Sequence, residues 1–272
     1  MSTIHSLEVS PPARETLLCV HASATNGLSL DKLVAPLRAR FNVLQPVRLG
    51  YGIDDAFEVG ASASYDAETD HLSAVFERHP EGVHLFGHSF GGAVAMQLAL
   101  RWPGRVKSLA LYEPGRFSLL FGDAASRPVG EAIVDLARTA ETWMVWGRLR
   151  DAAALFVDYW SGPGTWDAMD TRRQETVIRH MPKVRAEFEA AFADPLPLEV
   201  HAAALTMPVR VIVGATSPLP GKRVGELLAA SLPQAEFVCL PEIGHMGPVT
   251  HARQVFGQLP ADWQPYSQAL AA

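Results

Sequence analysis

The chain has 272 residues, of which 48% are hydrophobic and 19% are charged, and its net charge is −6. This composition excludes an intrinsically disordered chain, which combines low hydrophobicity with high net charge. The acidic balance argues against a nucleic-acid partner, because nucleic-acid binders carry a basic patch or stripe. The length allows two domains, or one large α/β domain with an insertion.

The first residues, MSTIHSLEVSPP, have neither a charged start nor an apolar stretch, so they do not indicate a secretory signal. No apolar run approaches the ~18 residues of a membrane span. We therefore expect a cytoplasmic protein with no membrane partner. Cys19 and Cys239 each lie in a short apolar run, which predicts buried thiols, and no Cys/His spacing indicates a metal or redox site.

Short apolar runs alternate with helical patterns along most of the chain. The runs occupy residues 16–20, 42–47, 83–86, 106–112, 209–213 and 236–240, and the clearest helical patterns occupy 66–78, 91–101 and 223–232. Continuously apolar runs of this length are typical of strands that are covered on both faces. The pattern predicts a parallel sheet between two layers of helices.

The alternation is interrupted once, between the run that ends near Glu113 and the run that begins at Val209. The segment between them has helical stripes and the turn signal Ser161-Gly162-Pro163-Gly164. We predict that residues 1–114 and 206–272 form an α/β core and that residues 115–205 form a helical cap. The cap contains four tryptophans and one tyrosine, of which we expect one or two to line a pocket: Trp143, Trp146, Tyr159, Trp160 and Trp166.

The strand predicted at 83–86 runs directly into Gly87-His88-Ser89-Phe90-Gly91, which is a G-x-S-x-G pattern. Between a buried strand and a buried helix, this pattern indicates a sharp turn that exposes the serine hydroxyl. Gly87 and Gly91 lack Cβ atoms, so the two chain segments can approach closely. Ser89 is therefore the candidate nucleophile, and the alternative is a glycine-rich turn with an incidental serine.

A serine hydroxyl becomes a good nucleophile only when a base takes its proton. The candidate base is His245, in the loop Gly244-His245-Met246-Gly247-Pro248 directly after the last predicted strand. His251 follows closely and is the alternative. The histidines show no metal-ligand spacing.

Together these motifs make the chain resemble the α/β-hydrolase superfamily over nearly its whole length, and within it the small bacterial serine hydrolases with a helical cap. The segments Val20-His21-Ala22-Ser23, Leu49-Gly50-Tyr51-Gly52 and Leu111-Tyr112-Glu113-Pro114 also match. The resemblance implies an α/β-hydrolase fold with a mostly parallel, eight-stranded sheet, helices on both faces and an inserted cap. It also implies a triad in the order serine, acid, histidine.

Further expectations follow from the same resemblance. It implies that the backbone N–H groups of Phe90 and Ser23 form the oxyanion hole. In the strand order that it implies, the strands of Cys19 and Cys239 are not neighbours, so we expect no disulfide between them. We expect no cofactor and no metal.

The chain departs from the family pattern at two positions. Ala22 stands where a glycine is usual, and Ser217 stands in Gly214-Ala215-Thr216-Ser217-Pro218 where the triad acid is usual. The next acid, Glu226, lies in a predicted helix and faces away. Glu113 is our candidate for the acid, because catalytic groups gather at the carboxyl ends of parallel strands, and certain haloalkane dehalogenases place their acid on that strand. The alternatives are that Glu113 is a cap-hinge residue, or that Ser217 assists a Ser–His dyad.

Three functions remain open at this point. The first is a serine hydrolase that cleaves a small, apolar carboxylic ester or lactone through an acyl-enzyme. The second is a cofactor-free hydrolase of carbon–carbon bonds with the same triad, and the third is a non-catalytic ligand-binding protein. The sequence leaves open a homo-oligomer.

Overall fold

The computed structural model describes residues 14–52, 57–58 and 60–264. Within these ranges six strands form one sheet: β1 Thr16–Val20, β2 Asn42–Leu44, β3 Val83–His88, β4 Val106–Tyr112, β5 Val209–Gly214 and β6 Ala235–Leu240. All neighbours pair in parallel, in the order β2-β1-β3-β4-β5-β6. The parallel α/β architecture is as predicted. The described residues hold six strands rather than eight, because each apolar run of the sequence forms one strand and eight was only the number typical of the family.

Helices fill the connections between the strands. The α-helices are α1 Asp31–Val34, α2 Tyr65–Arg78, α3 Phe90–Arg101, α4 Leu119–Gly122, α5 Arg127–Val145, α6 Leu149–Ser161, α7 Thr165–Ala168, α8 Thr171–Ala193, α9 Leu198–Ala204, α10 Leu219–Ser231, α11 Gly247–Thr250 and α12 Ala252–Phe256. Short 3-10 helices occupy Gly27–Leu30, Ala35–Ala39, Pro103–Arg105 and Ala261–Trp263. None of the helices in the described ranges is long and apolar enough to cross a bilayer.

Side chains that alternate along each strand build two separate cores, one on each face of the sheet. Along β1, Leu18 and Val20 belong to one core, whereas Leu17 and Cys19 belong to the other. The first core extends through α3 into the helices that follow β4. Both faces of the central strands are therefore buried, which explains their continuously apolar sequences.

The chain between β4 and β5 contains only helices, α4 to α9, and we call this segment the insertion. It holds two long helices, α5 and α8, and α6 packs against both of them. The insertion contributes buried residues such as Ile133, Trp160 and Val184 to the first core. Its helical content agrees with the sequence pattern, and its division from the rest of the chain as a separate cap remains a prediction.

The two cysteines are both free, as expected, but only Cys19 is buried. The expectation of a buried thiol at Cys239 was wrong, because β6 is an edge strand and Phe237 and Cys239 are exposed on it. An apolar run does not distinguish an edge strand from a central one.

The first prediction concerns the close approach of α3 to the end of β1. A Cβ atom on Gly91 would lie 2.3 Å from the carbonyl oxygen of His21 and 2.4 Å from that of Val20. We expect Gly91→Ala to lower the free energy of unfolding by about 3 kcal/mol, because backbone atoms must shift. Gly104→Ala is the matched control, since its Cβ would meet no atom within 4 Å. Equal stability of the two variants in urea denaturation would contradict this explanation.

Candidate active site

The sheet brings the predicted site residues to one edge, at the carboxyl ends of its strands. Ser89 directly follows β3, Glu113 directly follows β4, and His245 lies in the loop after β6. In parallel α/β sheets this edge is where catalytic and ligand-binding groups collect. The three residues are separated in sequence but adjacent in space.

Ser89 lies on a strained turn between β3 and α3. Its φ and ψ angles are 55° and −126°, a conformation that residues other than glycine rarely adopt. The turn is held by the Ser89 N–H, which donates to the Tyr112 carbonyl at 3.0 Å, and by Gly87, whose Cβ would lie 2.6 Å from the Gly92 Cα. The strain aims a half-buried hydroxyl into a cavity rather than into the sheet.

A chain of hydrogen bonds connects the three predicted residues. The Glu113 Oε2 atom lies 2.6 Å from His245 Nδ1, and His245 Nε2 lies 3.0 Å from Ser89 Oγ. An ionised carboxylate only accepts hydrogen bonds, so we assign the ring proton to Nδ1. Nε2 is then free to accept the proton of Ser89, which is the arrangement that activates a serine nucleophile.

Glu113 is completely buried, and its carboxylate is bound at both oxygens. One oxygen contacts His245, and the other accepts the N–H of Gly214 at 2.7 Å. The backbone of Glu113 has a φ of 45°, which turns the side chain from the end of β4 toward β5. These contacts favour a role beside His245 over a simple hinge role.

The alternative residues do not take these positions. The Ser217 hydroxyl is buried and has no hydrogen-bond partner in the described part of the chain, so it does not support a dyad. Glu226 is paired with Arg223 at 3.0 Å on the exposed side of α10. His251 Nδ1 lies 2.8 Å from Thr250 Oγ1 and does not reach Ser89.

The two residues predicted to supply oxyanion contacts line the same cavity as Ser89. Phe90 is the first residue of α3, so its N–H has no acceptor within the helix. Ser23 lies in the loop after β1 and lines the same cavity. Their backbone N–H groups remain the predicted oxyanion donors.

His21 organises the loop that carries Ser23. Its Nδ1–H donates to the Ala22 carbonyl at 2.9 Å, and its Nε2 accepts the Arg48 N–H at 3.1 Å. Burial, with the nearby Arg48 charge, holds the pKa of His21 well below its usual range, so the ring is neutral. The Ala22 carbonyl also accepts the Thr25 hydroxyl at 2.8 Å, so the loop is held although Ala22 replaces the usual glycine.

Arg48, which binds this loop, belongs to a buried cluster of four charged residues that no sequence pattern indicated. Arg48 Nη1 contacts Glu187 at 2.7 Å and Glu68 at 3.1 Å, and Lys183 contacts Glu68 at 2.9 Å. The Tyr51 hydroxyl donates to the second oxygen of Glu187 at 2.8 Å. Since Lys183 and Glu187 belong to α8, the cluster ties the insertion to the core beside the candidate site.

Two neighbouring but separate spaces adjoin Ser89 and His245. The inner cavity encloses about 90 Å³ and is lined by Ser89, Phe90 and largely apolar side chains. The outer cleft encloses about 1320 Å³, and both α6 and the loop of His245 line it. Trp160 lines both spaces, whereas Tyr159 lines only the outer cleft.

The other predicted cap aromatics lie outside these spaces. Trp166 is buried among the helices of the insertion, Trp143 is half-buried, and Trp146 is 67% exposed. In residues 14–52, 57–58 and 60–264, no group of three or more His, Cys, Asp or Glu side chains is arranged to hold a metal ion.

His88 holds the loop of His245 in place through a hydrogen bond. Its Nε2–H donates to the His245 carbonyl at 2.9 Å, and the two rings lie 5.1 Å apart. Burial, together with the neighbouring His245, holds the pKa of His88 well below its usual range. A neutral His88 keeps a second positive charge away from His245.

Comparison with known proteins gives a consistent result. The sequence profile of the alpha/beta hydrolase family matches residues 17–258. The 2-hydroxymuconate semialdehyde hydrolase of Pseudomonas sp. strain CF600 is 26% identical over 275 residues, covering 94% of this chain and 88% of that protein.

Two mycobacterial relatives match over a shorter segment. An uncharacterised protein of Mycobacterium tuberculosis is 33% identical over 127 residues, which cover 45% of this chain and 36% of that protein. Lipase LipV of the same organism is 31% identical over 112 residues, or 41% of each chain. The matched segment is thus less than half the length of either relative.

Solved structures extend the likeness to the whole fold. The enol-lactonase of Burkholderia xenovorans LB400 superimposes with a TM-score of 0.71 at 18% identity, covering 92% of this chain and 91% of that one. A thermophilic esterase of Thermogutta terrifontis gives 0.66 at 20% identity, covering 90% and 88%. At these identities the likeness shows the fold alone.

The second prediction tests the buried charge cluster. Glu187→Gln leaves Arg48 and Lys183 buried with one carboxylate between them, so we expect the free energy of unfolding to fall by about 3–5 kcal/mol. Glu189→Gln is the matched control on the same helix, because Glu189 is exposed and pairs only with Arg185 at the surface. We expect that change to cost about 0–1 kcal/mol. Urea denaturation of both variants measures the difference, and equal losses would contradict a stabilising role for the cluster.

The third prediction concerns pH. A histidine in the unfolded chain titrates near ~6.5, whereas the pKa of folded His88 is far lower, so acid protonates the unfolded chain first. We therefore expect His88 to lower the free energy of unfolding by up to about 1.4 kcal/mol per pH unit as pH falls below ~6.5. His88→Gln keeps an N–H donor and should make that decline shallower. An unchanged decline, measured by urea denaturation against His251→Gln as control, would count against this account.

Proposed function

Because the chain belongs to the alpha/beta hydrolase family, we propose that it is a serine hydrolase that cleaves a small carboxylic ester or lactone. The observation that carries this proposal is the hydrogen-bonded chain from Ser89 through His245 to Glu113 at the wall of an apolar cavity. The nucleophile is a serine rather than an aspartate, which argues against dehalogenase and epoxide hydrolase chemistry.

In the first half of the reaction, Ser89 Oγ attacks the carbonyl carbon of the substrate while His245 Nε2 takes its proton. The carbonyl oxygen becomes an oxyanion, which the backbone N–H groups of Phe90 and Ser23 stabilise. Glu113 stabilises the positive ring of His245 and keeps its Nδ1 protonated. The carbon–oxygen bond then breaks, the leaving oxygen takes the proton from Nε2, and an acyl-enzyme remains.

In the second half, water replaces the leaving group. His245 Nε2 takes a proton from the water as its oxygen attacks the acyl carbon, and the same N–H groups stabilise the second oxyanion. The bond to Ser89 Oγ breaks, and Nε2 returns the proton to that oxygen. The products are a carboxylic acid and an alcohol, or a hydroxy acid from a lactone.

A second candidate is the hydrolysis of a carbon–carbon bond by the same three residues. The match to 2-hydroxymuconate semialdehyde hydrolase over 94% of this chain favours it. The non-catalytic alternative drew its support from Ser217 in the place of an acid. The contact of Glu113 with His245 gives the histidine a carboxylate partner without Ser217, and this favours the catalytic proposal.

The fourth prediction tests the roles of the three residues. We expect Ser89→Ala to abolish both the hydrolysis of short acyl esters and lactones and labelling by a fluorophosphonate. Glu113→Gln should lower kcat by about 10³–10⁴-fold without unfolding the chain, because the imidazole loses its orientation and charge partner. Steady-state kinetics on an ester, lactone and vinylogous diketone panel measures these effects and separates the two candidate reactions.

Glu226→Gln is the control, since that carboxylate lies on the exposed side of α10 and should leave kcat unchanged. Ester hydrolysis that survives Ser89→Ala would refute the proposed function. A Glu113→Gln variant with wild-type turnover would refute only the assignment of the acid. In that case a large loss in Ser217→Ala would support the dyad.

A further inference from the structure

The inner cavity and the outer cleft meet the reacting groups from different sides. The inner cavity is lined by Ser89, Phe90 and Ser23, which are the nucleophile and the predicted oxyanion donors. His245 lines both spaces, whereas Ser89, Phe90 and Ser23 line only the inner cavity. The carbonyl carbon of a substrate bound for attack therefore lies in the inner cavity, and the outer cleft adjoins it at His245.

Trp160 has the largest side chain of the five residues that line both spaces, and it lies at their boundary. Its side chain is 6% exposed, and its ring centroid lies 4.4 Å from that of His245. It also stacks on Phe117, with a 6.0 Å centroid separation and an 11° angle between the planes. Because the indole is almost fully buried and two rings pack against it, we expect it to hold its position during the reaction.

The direction of proton transfer determines which part of the substrate enters which space. The leaving oxygen must receive its proton from His245 Nε2, which lines both spaces. The acyl group stays bonded to Ser89 in the small inner cavity, so the leaving group extends past His245 into the larger outer cleft. The acyl group lies on the side of the oxyanion donors and extends into the inner cavity. The two spaces therefore accept chemically different halves of one substrate.

The inner cavity accepts only a small, uncharged acyl group. Its volume of about 90 Å³ is below the ~150 Å³ that admits a benzene ring in an apolar protein cavity. Its walls include Phe156, Val184 and Phe188, and the carboxylate of Glu187 already binds Arg48 and Tyr51. A carboxylate on the acyl group of the substrate would lose its water in this cavity and lie beside the carboxylate of Glu187, which is unfavourable.

The outer cleft differs in both size and polarity. It encloses about 1320 Å³ and includes the charged side chains of Asp158 and Arg173 among its lining. It can hold a bulky leaving group that carries polar substituents.

We propose that Trp160 is a specificity-determining residue, and that the substrate class is an ester of a short, uncharged acid with a bulkier alcohol. This inference rests on the proposed function. The indole blocks the path by which a longer acyl chain would pass from the inner cavity into the cleft. Shortening the side chain joins the two spaces and admits long acyl groups.

The test compares acyl chain lengths in purified variants of the full chain. Wild-type kcat/KM is expected to be at least about tenfold higher for p-nitrophenyl butanoate than for the octanoate, since several methylenes are excluded. Trp160→Ala should raise the octanoate-to-butanoate ratio by about tenfold or more, and Trp160→Phe should raise it by less. Trp166→Ala is the matched control, because that indole is buried in the insertion but lines neither space.

The possible outcomes separate this inference from the function on which it rests. If wild type hydrolyses esters through Ser89 but the ratio is the same in wild type, Trp160→Phe and Trp160→Ala, the partition is refuted and the proposed function stands. An equal change in Trp166→Ala would also refute it, because the effect would reflect a loosened insertion. If wild type neither hydrolyses esters nor reacts with a fluorophosphonate at Ser89, the proposed function fails and this inference fails with it. Should Trp160→Ala not fold, the Trp160→Phe ratio decides the question.

Discussion

The hydrogen bond between Glu113 and His245 is the interaction on which the proposed site depends. A carboxylate with no solvent exposure is costly unless its charge is compensated. Here two N–H groups compensate the charge. One belongs to His245, in the loop after β6, and the other belongs to Gly214, the last residue of β5. The strand order places β4 beside both β3 and β5, so one side chain at the end of β4 can reach partners on either side. Without this order, the imidazole beside Ser89 would have no anion to hold it.

The buried charge cluster performs a related task at the boundary between the core and the insertion. Arg48 donates to the His21 carbonyl from Nε at 2.9 Å and contacts Glu187 on α8 from Nη1. One guanidinium thus holds the loop that carries Ser23 and the helix that forms a wall of the inner cavity. Buried ion pairs often add little net stability compared with apolar residues, but they penalise every arrangement in which a partner is missing. We infer that the cluster favours one position of α8 over slipped alternatives.

Much of this arrangement could be predicted because it is encoded locally. Ser89, His245 and Glu113 each directly follow an apolar run or lie in the loop after one, and strand ends in a parallel sheet share one edge. The contacts that could not be predicted join distant positions, such as Arg48 with Glu187, 139 residues apart. Periodicity shows which face of α8 is apolar. It does not show that the buried carboxylate of Glu187 on this helix contacts Arg48, which lies between β2 and α2. The exposure of Cys239 was missed for a similar reason, because hydrophobicity within a strand does not reveal its place in the sheet.

The location of the acid has a consequence for how the chain tolerates change. Ser89 and Glu113 both precede the insertion, and their separation depends on the pairing of β3 with β4, in which His88 lies opposite Tyr112. His245 alone must return to them from beyond the insertion, and the Tyr112 hydroxyl positions its loop by donating to the Gly244 carbonyl at 2.8 Å. The helices between β4 and β5 can therefore vary without moving the proposed nucleophile and acid relative to each other, as long as α8 keeps the partners of Arg48 and Glu68. Such a layout lets the insertion change the walls of the substrate spaces while the sheet and its loops carry the proposed reacting groups.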